Sequence, residues 1–167
     1  MERKSLTYLK IGILFLFMNF NLGKINLMPD FVGMLFWFAS AASHDVPTET
    51  EKRLKPFLLL LAADFALHWV FSFKNPLESL LVSVMSVYTI YMFLGEVIKR
   101  IREEQPERAL HLNFARTVTV LALTANFLLS AYDNSTLNGV IVISFLLVLV
   151  FLMVQVCLIR PKCGEKL

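Results

Sequence analysis

Asp64 and His68 stand one helical turn apart inside an otherwise apolar run, Pro56 to Phe73. At that spacing a carboxylate and an imidazole share one face of a helix. Together they can relay protons or act as two ligands for a cation. The structural account of the same residues is a carboxyl group satisfied by hydrogen bonds to His68 or to a polar side chain on a neighbouring helix, such as Asn126. Some partner is required, because an acidic residue near the centre of a lipid-spanning helix costs about 2.5 to 3.5 kcal/mol on insertion scales. A second polar group, Asn19, Asn21, Asn26 and Asp30, gathers at a break between the first two apolar runs. It could line an outward-facing vestibule, or it could cap a helix and satisfy a broken backbone. Asp30 directly after Pro29 is ordinary helix-start chemistry and favours capping.

The elements that hold these residues are set by alternating apolar and basic stretches. Of the 16 Lys and Arg residues, only Lys24 and Lys74 lie outside four positions: before the first apolar run, after the second, after the fourth and at the end of the chain. That alternation is the positive-inside pattern of a chain threaded repeatedly through a membrane. Six helical segments are expected: Leu6 to Leu22, Pro29 to Ser43, Pro56 to Phe73, Pro76 to Arg102, Ala109 to Tyr132 and Leu137 to Arg160. Helices are the open-chain way to satisfy backbone amides in lipid. The second segment would rise only about 22 Å against a hydrocarbon core of about 30 Å, so the first two segments can also form a re-entrant hairpin. Either way both termini fall on the basic, cytoplasmic side.

Proline places the starts, with Pro29, Pro56 and Pro76 each read as first-turn residues that need no amide donor. Pro106 is read as the end of the fourth helix, whose last turns pair Glu96 with Arg100 and Lys99 with Glu103 as a solvated extension. Small residues, Ala39 with Ser43 and Ala62 with Ala66, offer faces for close helix contact. The aromatic runs at Phe36 to Phe38 and Trp69 to Phe73 read as interface belt and lipid-facing surface. Asn19-Phe20-Asn21-Leu22, Asp64-Phe65-Ala66-Leu67 and Asn126-Phe127-Leu128-Leu129 share an Asn/Asp-Phe-x-Leu pattern on alternate helices, as three parallel hairpins would produce. Chance accounts for it as readily in a chain with 15 Phe.

With 57% hydrophobic and 17% charged residues among 167, the chain is too apolar for an ordinary soluble domain of its size and reads as a single transmembrane domain, residues 1–167. The net charge of +3 is directed at anionic lipid headgroups rather than nucleic acid. The Cys157 and Cys163 spacing fits no metal motif, and no structural disulfide is expected. A cleavable leader ending at Ala39-Ser40-Ala41 is opposed by the polar residues that interrupt the preceding stretch.

The run Ile25-Asn26-Leu27-Met28-Pro29-Asp30-Phe31-Val32-Gly33 resembles an N-x-L-P-D-F-I-G element of small, uncharacterised multi-span membrane proteins of Gram-positive bacteria, with Met28 where that element has Leu. The resemblance covers about a dozen residues, implies a bacterial membrane protein and assigns no activity. Glu103-Glu104-Gln105-Pro106-Glu107-Arg108 matches the E-E-x-x-x-R string of membrane-embedded prenyl-protein proteases. Pro106 breaks the helix that string requires, and only His111 follows it, so the match is rejected. No phosphate loop, His-x-x-x-His pair or Ser-centred elbow is present, so neither catalysis, a cofactor nor a resident metal is expected.

In size, helix number and topology the chain resembles the substrate-capture subunits of energy-coupling-factor transporters, a likeness of architecture alone. The expectation is a non-catalytic, multi-pass protein of the bacterial cytoplasmic membrane that binds or transports a small solute or ion through Asp64, His68 and Asn126. The alternative is an accessory or assembly subunit bound to a larger membrane protein or to its own copies. Cysteines introduced singly at Lys52 and Arg108 should label from the same side of sealed vesicles; labelling from opposite sides removes the topology.

Overall fold

The computed structural model describes residues 2–17, 21–22, 25–26, 29–71, 76–129 and 135–161. Among them are six α-helices: α1 (Arg3–Phe17), α2 (Asp30–Ala42), α3 (Glu49–Val70), α4 (Pro76–Ile101), α5 (Pro106–Leu129) and α6 (Ser135–Cys157). The fold is all-α apart from two short strands between α1 and α2, β1 (Asn21–Leu22) and β2 (Ile25–Asn26), which pair Asn21 with Asn26 and Leu22 with Ile25. The chain packs as two compact units, Met1–Thr89 with Arg160–Leu167 and Ile90–Ile159, and α4 runs from one into the other.

In the first unit α2 packs against both α1 and α3. Ser5, Leu6, Leu9, Gly12 and Ile13 bury one stripe of α1, and Gly33, Met34, Trp37, Ser40 and Ala41 bury the matching stripe of α2. Both follow the three-to-four-residue spacing that puts side chains on one helical face. Gly12 and Gly33 meet at the crossing: a Cβ on Gly33 would lie 2.6 Å from Leu16 Cγ and 2.8 Å from the Gly12 carbonyl oxygen, and one on Gly12 would overlap Trp37 Cδ1. Trp37 is fully buried there. Its reading as a lipid-facing belt residue is corrected, because the notch at Gly12 admits the indole into the helix interface. Trp69 and Phe71 do remain half exposed.

Helix α3 begins seven residues before the proline expected to start it. Thr48 caps it: Thr48 Oγ1 accepts from Glu51 N at 3.1 Å while Glu51 Oε2 accepts from Thr48 N at 2.9 Å. This reciprocal capping box satisfies two otherwise orphaned donors and fixes the true start. Pro56 therefore lies inside the helix. In the same first turn Lys52 Nζ donates to Glu49 Oε1 at 2.7 Å and holds that exposed carboxyl below its ordinary range. Phe57 meets Tyr88 with ring centroids 5.7 Å apart, which brings α3 against the first part of α4.

In the second unit α5 packs on α6, with Ala109, Leu112, Ala115 and Thr119 buried along α5 and Leu149, Leu152 and Val156 along α6. Two charge assignments change here. Lys99 bonds Glu96 at 2.6 Å rather than pairing with Glu103, because α4 ends at Ile101 and Glu103 lies beyond its last turn. Glu96 is buried rather than solvated, its charge met by the exposed Lys99 ammonium. Pro106 opens α5, where a missing amide proton costs nothing, instead of closing α4.

Among the described residues one helix, Leu77–Ile101, is long and apolar enough to cross a membrane; Asp30–Ala42 and Leu146–Cys157 are apolar but shorter. Large apolar side chains nevertheless stand exposed along several helices, including Leu60, Leu67 and Val70 on α3 and Leu77, Leu81 and Val84 on α4.

Gly12→Ala and Gly33→Ala should each lower the unfolding stability of the purified protein by about 1 to 3 kcal/mol, the cost of overpacking a tight interface. Gly95→Ala should be neutral or stabilising by up to about 1 kcal/mol, since its added methyl meets only the tip of the Arg116 side chain. Thermal unfolding in detergent measures both.

Candidate functional site

Asp64 and His68 occupy adjacent turns of α3, as their spacing requires, and both are partly buried. His68 Nδ1 lies 3.1 Å from the Asp64 carbonyl oxygen and 3.5 Å from Asp64 Oδ2. A carbonyl oxygen can only accept, so Nδ1 carries a proton, and in the neutral ring the lone pair then belongs to Nε2. The early start of α3 also shifts the pair along the helix. Asp64 lies six residues, about 9 Å, before the helix end at Val70, closer to the end of α3 than the middle of a Pro56 to Phe73 segment implies.

The start of α4 adds a third group. Glu78, in the first turn of α4, offers a carboxylate oxygen such that one ligand atom from each of Asp64, His68 and Glu78 lies within 4.8 Å of the others. Glu78 also lies at the positive end of its helix, where an acid is favourable. What could have found it is the geometry of a helical hairpin. Two antiparallel neighbours that follow each other closely in the chain bring the end of the first beside the start of the second.

Of the other expected site residues, Asn19 and the side chains of Asn21, Asn26 and Asn126 lie outside the described residues. Asn126 itself falls within α5. Asp30 is the first residue of α2, and Pro29 holds the cap position in extended geometry without a side-chain cap hydrogen bond. The N-x-L-P-D-F-like stretch thus leads from β2 into the first turn of α2.

A second polar cluster was not expected. At the opposite end of the α1–α2–α3 layer, Ser40 Oγ donates to the Ser5 carbonyl at 2.9 Å and Ser5 Oγ donates to the Ser40 carbonyl at 3.2 Å. His44 Nε2 lies 2.9 Å from Ser5 Oγ, and its Nδ1 lies 2.9 Å from Glu51 Oε1. The order Ser, His, carboxylate is that of a nucleophilic relay. The details oppose that use. Ser5 is fully buried, its hydroxyl also reaches the Ser40 carbonyl and hydroxyl on α2, and His44 Nδ1, although 2.9 Å from Glu51 Oε1, makes no hydrogen bond. The cluster is a polar staple joining α1, the α2 C-terminus and the cap of α3. The Thr48-Glu49-Thr50-Glu51 pattern was its legible sign, since Ser/Thr followed three residues later by Glu announces a capping box.

Compared with known proteins, the chain matches no family model, no curated protein sequence and no solved structure.

Glu51→Ala should destabilise the protein by about 3 to 5 kcal/mol, because it leaves a buried partner uncompensated and removes the cap. Asp64→Asn, at a partly exposed position, should shift stability by less than about 1 kcal/mol. Chemical unfolding of the two variants side by side measures the contrast.

Proposed function

We propose that this chain is a multi-pass protein of the bacterial cytoplasmic membrane, with both termini cytoplasmic, that binds and transports a small solute or ion. The observation that carries this reading is the convergence of Asp64, His68 and Glu78 from two helices whose remaining surfaces expose Leu60, Leu67, Leu77, Leu81 and Val84. Polar groups with affinity for a charged or hydrogen-bonding ligand, set between helices that present hydrocarbon outward, suit a lipid surrounding better than water. The Leu77–Ile101 helix, the apolar sequence of α6 and the one-sided distribution of Lys and Arg support the same location. So does the likeness of residues 25–33 to the Gram-positive multi-span element.

In that topology the end of α3 and the start of α4 face the outside. The site then sits near the outer mouth, where a solute is captured. Basic residues at the other helix ends contact anionic headgroups.

The protein should fractionate with membranes and resist extraction by high salt. In proteoliposomes loaded with radiolabelled or fluorescent reporters, Asp64→Asn and His68→Ala should abolish ligand-dependent flux while insertion and yield are unchanged. Flux equal to that of the unaltered protein sinks the assignment of this site, and stoichiometric copurification of a larger membrane protein shifts the reading to an accessory subunit.

A further inference from the structure

We infer that Asp64, His68 and Glu78 form a three-ligand site for a divalent transition-metal cation of the Zn2+ class. The inference rests on the binding-site reading above and names its ligand.

Two carboxylates and one imidazole bring their ligand atoms within 4.8 Å of one another. Among the described residues neither Asp64 nor Glu78 has a lysine or arginine partner. Two partly buried carboxylates that close repel each other, and a divalent cation between them turns that repulsion into attraction. The donor set selects the metal. Imidazole suits Zn2+ and its neighbours in the transition series, whereas Mg2+ and Ca2+ prefer shells built from oxygen alone. His68 Nδ1 bonds the Asp64 carbonyl at 3.1 Å, a contact of the kind that metal-binding histidines usually make through the ring nitrogen that does not hold the metal.

Zinc takes ligands at about 2.0 to 2.2 Å, which sets tetrahedral ligand atoms about 3.3 to 3.6 Å apart, so the three atoms draw together by up to about 1.5 Å on binding. Partly exposed Asp and Glu side chains reach that by rotating about their own bonds, with no movement of the helices. Three protein ligands leave at least one position for water or an exchanging ligand. Such an open shell suits capture and release better than permanent structural binding.

The test is a titration of the chelator-treated full-length protein in detergent with ZnCl2, followed by calorimetry, and with CoCl2, followed by the visible absorption of four-coordinate cobalt. One equivalent per chain is expected. His68→Ala and Glu78→Gln should each weaken binding by at least about tenfold, with apo-state unfolding temperatures unchanged, whereas Glu49→Gln, exposed in the first turn of α3, leaves it intact. Excess MgCl2 should not displace the cobalt signal. Absence of binding, or binding that survives both His68→Ala and Glu78→Gln, overturns the inference. If zinc fails to bind while Asp64→Asn still abolishes flux of another solute, the metal is wrong and the site reading stands. If zinc binds as described but no flux is found, the metal site stands and transport does not.

Discussion

Where α1 crosses α2, nothing larger than a hydrogen atom fits between the backbones. Gly12 and Gly33 face each other, and the space left beside Gly12 is taken by the Trp37 indole. The closeness has consequences along the whole interface. It lets the Ser5 and Ser40 hydroxyls reach each other's backbone carbonyls, and it holds α2 so that His44, just past its end, meets both Ser5 and Glu51. Glu51 in turn caps α3, so the helix that carries Asp64 and His68 is anchored at its start by contacts that originate in the α1–α2 crossing. Close backbone approach gains dispersion contacts in any surroundings, including lipid, where hydrophobic burial supplies no drive for helices to associate.

The two polar clusters of the first unit have opposite characters. Ser5, Ser40 and Glu51 are almost wholly buried, and their groups are engaged with backbone carbonyls, a helix cap or His44. Burial of these bonded groups makes the network a structural fastening, since every lost partner leaves a desolvated group behind. Asp64, His68 and Glu78 are only partly buried, and the two carboxylates have no cationic side chain beside them among the described residues. Groups that retain affinity for something outside the protein are the ones that can bind a ligand. Two serines, a histidine and a glutamate at relay distances would suggest chemistry if proximity were the only criterion; burial and the missing hydrogen bond at His44 Nδ1 assign them to stability.

Much of the local organisation was readable from residue order because it depends on neighbours a few positions apart. Long apolar runs dictated helices, Pro76 marked the start of α4, and the i, i+4 spacing of Asp64 and His68 put both on one face. Pro56 was misread as a start because the Thr48 to Glu51 capping box upstream outweighs a proline that a helix can accommodate. The pairing of Lys99 was misassigned because two acids lie within a turn of it, and only the end of α4 at Ile101 decides between them.

What order alone could not supply was contact between residues distant in the chain. The burial of Trp37 depends on a glycine 25 positions earlier in the sequence, and the third member of the acidic site on the way α4 folds back along α3. A helix propensity is a property of one segment, and it determined the helices. Which faces meet is settled by shape complementarity between segments. That is why Glu78 beside Asp64 and His68, and His44 between Ser5 and Glu51, belong to the tertiary structure alone.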